Sequence, residues 1–223
     1  MKYLLFATLL VSLMACSKQP SPLANFEQYF YEPEKLQNGK VFTFQKVSTL
    51  ETVQILKKHV HKNGKKLIAT IQSTSGVVYD STLIEPTFPY NYSHIYRFDY
   101  DSSGTFEGLS EGTIKKDEVT DNGMHSIFQF KHEDILYKID KEQEYVCDTT
   151  YIWKGEALPA IYFKYTNEFK SWHKYLFFLS SSHQREGYFM YAKGLGVVKY
   201  GSVFNGVKED WELKDITLNP QLD

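Results

Sequence analysis

The residues of this chain whose types and spacing could do chemistry are few. They are two cysteines, Cys16 and Cys147, a His-x-His pair at His59 and His61, and acidic pairs at Glu133-Asp134 and at Asp99 with Asp101. On a strand, His-x-His puts both imidazoles on one side, where they can chelate zinc or copper. Lys57 and Lys66 share that side and would repel a cation, and no nearby cysteine or carboxylate completes a shell. The expected reading is therefore a solvated polar face and no metal site. The acidic pairs stand beside turns, where solvated carboxylates are common; whether any two carboxylates face each other as in a glycosidase is a property of the fold. The chain has no Gly-x-Ser-x-Gly, His-Glu-x-x-His or Walker loop, so no catalytic residue, enzyme activity or cofactor is expected.

Cys16 is different because of what precedes it. Lys2 is followed by twelve uncharged residues, Tyr3 to Met14, and then by the small Ala15. At 1.5 Å per residue that run is too short to cross a hydrocarbon core about 30 Å thick, and it reads as a signal-peptide core. Leu13-Met14-Ala15-Cys16 resembles the bacterial lipobox, with Met14 where a smaller residue is usual. The resemblance implies that residues 1–15 are removed, that the Cys16 sulfur is alkylated by diacylglycerol, and that the chain is held to a membrane through that residue. Each buried methylene contributes about 0.8 kcal/mol, so two or more acyl chains anchor stably. Ser17, where an Asp would retain such a protein at the inner membrane, implies outer-membrane transfer. "SKQPSPLAN" has no acidic cluster for surface export, so a periplasm-facing domain is expected.

Residues 16–25, with two prolines and few large apolar groups, read as a lipidated tether, and residues 26–223 as a single β domain. The chain is 42% hydrophobic, 16% aromatic and 23% charged with a net charge of -2. That balance suits a foldable domain and provides no basic field for nucleic acid. With Cys16 consumed by lipid, Cys147 is left without a partner and reads as a small core or edge residue.

The pattern is mainly β: 17 Tyr and 16 Phe among many Val, Ile and Thr, in short stretches broken by Gly, Asn and Asp. The segment "NFEQYFYEPEKL" predicts a short N-terminal helix capped by Asn25 and stopped by Pro33. Strands are expected at "VFTFQKV", "TVQILKKHV", "KLIATIQS", "SIFQFKH", "ILYKID", "YVCDTTYIW", "AIYFKYT", "YLFFLSS", "GYFMYA", "GVVKYGSVF" and "VKEDWELKDITL". Two Asn-Gly pairs fix hairpins. About Asn205-Gly206 the register sets Tyr200 opposite Trp211 and Val198 opposite Leu213 on a greasy face, with Lys199 opposite Glu212 on a charged one. About Asn63-Gly64 it sets Val60 opposite Leu67 and Leu56 opposite Ile71, leaving the histidines on the other face. At Asn122-Gly123 no simple register works, which implies a longer loop or a bulge. The sum is a large antiparallel curved sheet or half-open β-barrel with a short N-terminal helix.

The stretch "YFMYAKGLGVVKYGSV" resembles the Ala-x-Gly-x-Gly, valine, lysine segment near the end of a family of uncharacterised bacterial envelope lipoproteins, and "NGKVFTFQ" resembles their first strand; Lys193 stands where those proteins commonly have Pro. The resemblance implies a half-open β-barrel like that of the lipoprotein-localisation carriers, which hold acyl chains on a concave apolar face. Read on their own, Gly194 and Gly196 mark a bend rather than a phosphate cradle. Two functions follow as expectations. In one, a lipid or other apolar small molecule is held on the inner face, lined by Phe128 with Phe130 and Phe163 with Tyr165. In the other, the domain is an adaptor for an envelope protein partner, which it meets through loops such as "EPTFPYNYSH" with Phe88, Tyr90 and Tyr92.

Overall fold

The computed structural model describes residues 28–29 and 33–218, apart from 63–64, 76, 88–90, 101–102, 104, 121, 177 and 205. A 3-10 turn at Pro33–Leu36 leads into twelve strands: β1 (Lys40–Lys46), β2 (Thr52–Lys62), β3 (Lys65–Thr74), β4 (Val77–Thr87), β5 (Asn91–Tyr100), β6 (Phe106–Thr120), β7 (Gly123–His132), β8 (Ile135–Trp153), β9 (Glu156–His173), β10 (Ser180–Ala192), β11 (Gly196–Phe204) and β12 (Val207–Leu218). Most of the expected N-terminal helix lies outside the described residues.

Each strand pairs antiparallel with its neighbours in sequence, and β1 pairs with both β2 and β12, so the pairing runs round a ring. The ring has a gap. Residues 180–185 of β10 pair with β9 alone, because the β10 to β11 register begins at Glu186 opposite Val203. The expected curved antiparallel sheet is thus what forms, closed by β1 and open along that upper stretch.

Two hairpins have the registers their turns dictate. Tyr200 stands opposite Trp211 and Lys199 opposite Glu212, with Gly206 at φ 77° in the turn. Leu56 stands opposite Ile71 and Val60 opposite Leu67. Gly194 and Gly196 also have positive φ and form the tight return from β10 to β11, with Ala192 opposite Gly196. At Asn122-Gly123 the turn is in fact short, with Thr120 opposite Gly123. A bulge between Ile114 and Lys116 shifts the β6 register, so no single alternation separates apolar from polar residues there.

Other expectations need correction. "ILYKID" and "YVCDTTYIW" are one strand, β8, bent by a bulge between Tyr145 and Cys147. "YLFFLSS" is not one strand: Tyr175, Leu176, Phe178 and Leu179 lie in the turn between β9 and β10, and only its Ser180 and Ser181 belong to β10. Strands β4, β5 and β6 were unforeseen, and the supposed loop "EPTFPYNYSH" carries the end of β4 and the start of β5, where Tyr92 pairs with Pro86. Phe88 and Tyr90 lie outside the described residues.

The core gathers near the end of the barrel where β1 begins. Leu36, Phe42, Phe44, Val198 and Leu213 are buried there, and Tyr151 donates a hydrogen bond to the Leu213 carbonyl at 3.0 Å. The N-terminal segment helps to close this end: Gln28 accepts a hydrogen bond from the Gly194 N–H at 2.8 Å, and Tyr29 packs on the second cluster of Ile161, Phe163 and Tyr191.

Candidate binding face inside the barrel

Residues directly opposite on paired strands point to the same side, so the registers show which side chains share the inner face. Phe44 stands opposite Leu213, Trp211 opposite Tyr200, Tyr200 opposite Phe189, Phe189 opposite Phe163, and Phe163 opposite Tyr145. Two positions along β8 from Tyr145, Gln143 pairs with both Tyr165 and Met124; further along, Ile139 pairs with Phe128 and Phe169, and Tyr137 with Phe130. The four expected liners, Phe128, Phe130, Phe163 and Tyr165, therefore do stand on one face.

They do not play one part. Phe163 is fully buried, edge-on to Tyr145 at 5.9 Å and to Tyr191 at 5.7 Å, and Tyr165 is 8% exposed, its ring 4.8 Å from that of Phe189. Tyr165 also lies across Gly187: a Cβ there would come within 2.6 Å of its ring and hydroxyl, so the glycine makes room for the ring. These two are packing residues. Phe128, Phe130, Phe169, Phe189, Tyr200 and Trp211 stay half-buried, so the face retains accessible aromatic surface. Burial raises the phenol pKa of Tyr165 and pushes that of Tyr145 up to about 12, with Asp148 adding to the effect at Tyr145, so these two stay neutral.

The face is also amphipathic, which the sequence reading missed. Because Phe44 pairs with Val53 and Phe42 with Ile55, the odd-numbered residues of β2 face inward. Lys57 and His59 consequently lie inside the barrel with Thr70 and Ile68 opposite them, while Leu67 and Ala69 are buried on the other side of the sheet. The expected solvated polar face is thus an interior one. The Lys57 ammonium sits 5.5 Å from the Phe42 ring centroid, and desolvation lowers its pKa. Lys141 lies 4.5 Å from the Phe189 centroid and 5.7 Å from that of Tyr165, and Lys46 lies over Trp211 while bonding Glu209 at 2.7 Å. The signal that could have found these residues was the β1 to β2 pairing, which no Asn-Gly turn announces.

The opposite face of β7 to β12 carries charge. Lys199 pairs with Glu212, Lys208 with Asp210, Lys170 with Glu168, and Asp140 with both Lys138 and His125. A barrel that spans a membrane needs an apolar band outside and polar groups within; this half of the barrel is the reverse. Among the described residues, no helix is long and apolar enough to cross a membrane, and no three His, Cys, Asp or Glu side chains gather as metal ligands. Cys147 is 7% exposed, a small buried residue of β8, as its surroundings in the sequence led us to expect.

Exposed apolar residues collect at the end away from the N-terminal segment. Val47 and Leu50 lie in the β1 to β2 turn, Val77 opens β4, Ile135 and Tyr137 open β8, Tyr175, Leu176, Phe178 and Leu179 form the β9 to β10 turn, and Val203 and Val207 flank the last turn. Among described large apolar side chains, only Ile152 and Leu218 are comparably exposed elsewhere. Ile135 and Tyr137 continue on the same side into Ile139, so the apolar rim runs down into the barrel.

Fold and face together define an antiparallel β-barrel with an aromatic interior and an apolar rim. No known family matches the chain, and no curated protein does. Two solved structures are similar in outline. One is described as a "putative lipoprotein" from Parabacteroides distasonis, with TM-score 0.45, 9% identity, and 85% of this chain and 98% of that chain covered. The other is a "putative exported protein with YmcC-like fold" from Bacteroides fragilis, with TM-score 0.43, 11% identity, and 84% and 98% covered.

Proposed function

We propose that this is a lipoprotein, anchored through Cys16 in the outer membrane with its barrel facing the periplasm, and that it binds a lipid or other apolar ligand on its inner face without catalysis. The observation that carries the binding reading is the row of half-buried aromatics inside the barrel, Phe128, Phe130, Phe169, Phe189, Tyr200 and Trp211. Twelve strands enclose more space than the eight whose side chains just fill a barrel. Apolar surface left partly wet on an inner face is surface a ligand can bury, at about 25 cal/mol per Å². The Leu36 end is plugged by the chain itself, so the rimmed end, where β10 lacks a β11 partner, is the entrance.

The anchoring reading rests on the lipobox. Intact mass of the mature protein from membranes tests it: a diacylglyceryl increment on a chain starting at residue 16 supports the lipoprotein, and an unacylated chain overturns it. For the barrel, the domain starting at Ser17 is purified from the periplasm and weighed under native conditions. A stoichiometric apolar adduct supports the carrier.

The apolar rim favours a second reading, an adaptor that meets an envelope protein through the β9 to β10 turn. A domain that carries no adduct, with a partner captured by the wild type and lost in Leu176→Ser/Phe178→Ser, would select it.

A further inference from the structure

The β9 to β10 turn presents a row of large apolar side chains to solvent on a fully bonded backbone. Tyr175 is 65% exposed, Phe178 69% and Leu179 54%, with Leu176 among them and Ile135 of β8 opposite His173 at their foot. The His173 N–H donates to the Leu179 carbonyl and the Leu179 N–H to the Leu176 carbonyl, while the Lys174 N–H donates to the Asp134 carbonyl of the β7 to β8 turn. The Tyr175 and Leu176 N–H groups both donate to Nδ1 of His173 at 3.2 Å. A hydrocarbon phase tolerates irregular backbone only where its polar groups are bonded internally. A loop that meets a protein is under no such constraint, because the partner can supply the missing bonds. The charges around the turn balance, Lys131 and Lys174 against Glu133 and Asp134, all exposed. The Lys174 ammonium lies 4.9 Å from the Tyr175 ring centroid, the pairing of lysine and aromatic ring that suits the level of lipid head groups.

From this turn we infer that the entrance of the barrel docks on a lipid bilayer, with Tyr175, Leu176, Phe178 and Leu179 inserted at its surface, so that an apolar ligand passes between membrane and barrel without crossing water. The inference rests on the carrier and anchoring readings and adds the surface that the entrance meets. That surface is the membrane that holds Cys16. The Gln28 carbonyl is bonded to Gly194 just past the lower end of β10, and the inserted turn joins the upper end of the same strand. The twelve steps from Ser180 to Ala192 make about 40 Å of strand, or about 30 Å of height at the tilt usual in a barrel. The twelve steps of chain from Cys16 to Gln28 can span up to about 40 Å. An acyl group on Cys16 therefore reaches the level of the turn along the outside of the barrel, and both enter one bilayer.

Co-sedimentation with vesicles of dioleoylphosphatidylcholine, which carry no net charge, tests this on the chain starting at Ser17, which keeps every described residue and lacks the acylated one. Wild type is expected in the vesicle pellet, and to stay there in about 0.5 M salt, where exposed charges are screened. Leu176→Asp/Phe178→Asp is expected to weaken partition at least about tenfold, whereas Ile152→Asp, at an exposed apolar site near the plugged end, should leave it within about twofold. In single-tryptophan variants, vesicles of brominated phosphatidylcholine should quench Trp172, opposite Ser180 at the foot of the turn, and spare Trp153, stacked on Tyr151 at the plugged end. That readout leaves the turn intact and does not depend on how the aspartate pair folds. Wild type left in the supernatant overturns the inference, even if the turn joins a second copy or holds an envelope protein. Release by salt, equal partition of wild type and the aspartate pair, or equal quenching of the two tryptophans overturns it as well. A fatty acid inside the barrel and an acyl group on Cys16 are read by separate measurements, so the carrier and anchoring readings survive that failure.

Discussion

Replacing Phe163 separates the part of the inner face that holds the fold together from the part available to a ligand. Phe163 is fully buried in the middle of β9, with Tyr145 and Tyr191 edge-on to it at 5.9 and 5.7 Å and Ile161 in the same cluster. Emptying such a site by Phe163→Ala removes the ring's transfer energy and leaves a cavity, together about 3–5 kcal/mol. Phe163→Leu restores most of the volume but forfeits two edge-to-face contacts, each about 0.5–1.5 kcal/mol, so it should cost about 1–3 kcal/mol. Phe128, only half-buried and opposite Ile139 of β8, should lose about half as much on truncation to Ala. Urea melts followed by circular dichroism read these differences. With a slope of about 2 kcal/mol per molar, Phe163→Ala should lower the midpoint by roughly 2 M and Phe128→Ala by about 1 M. Equal shifts, or a larger one for Phe128, would show that the two positions do not differ in burial and that the division of the face is wrong.

Gly187→Ala should be worse tolerated than its size suggests, because the new methyl meets the Tyr165 ring and the Gly201 carbonyl; a thermal midpoint unchanged within 2 °C would contradict that packing. Asp140 accepts hydrogen bonds from His125 at 2.7 Å and Lys138 at 2.8 Å, which outweigh its burial and hold its carboxyl below the usual range. The folded pKa is the lower one, so the stabilisation is present above about pH 4 and lost as pH falls through the folded value. Asp140→Asn should therefore cost about 1 kcal/mol at pH 7 and progressively less below pH 4, measured by urea melts across pH. Lys57 has the opposite sense: its folded pKa is lowered, so the unfolded chain holds more protons between that value and about 10.5. Wild-type stability should gain from this group as pH rises through that window, a gain that a parallel series on Lys57→Met would lack.

The parts of the fold legible in the sequence are those fixed by local chemistry. Asn-Gly turns set two registers, and the alternation of Tyr200, Lys199 and Val198 against Trp211, Glu212 and Leu213 needed only the turn between them. What local pattern could not supply was the neighbour across a non-hairpin contact. Strand β1 meets β12 over most of the length of the chain, and that closure turns Lys57 and His59 inward. The run Tyr175 to Leu179 looks like a strand because its residues are β-formers, yet Tyr175, Leu176, Phe178 and Leu179 sit where the chain must reverse. For the candidate site, alternation correctly placed Phe128 with Phe130 and Phe163 with Tyr165, and the two pairs do share a face. Burial, which separates packing residues from accessible ones, depends on side chains from neighbouring strands and had no local signature.

Quenching by brominated fatty acids tests the central claim most directly. Trp211 stands on the inner face, stacked on Tyr200 at 6.2 Å, whereas Trp172 pairs with Leu136 and Ser180 on the other side of the sheet. In a Trp153→Phe/Trp172→Phe domain, emission comes from Trp211 alone. Dibromopalmitate held inside the barrel brings bromine against that ring, so quenching should be saturable at one equivalent and reversed by unbrominated palmitate. Emission that falls only linearly with quencher, with no saturation and no competition, would show that no acyl chain lies on this face.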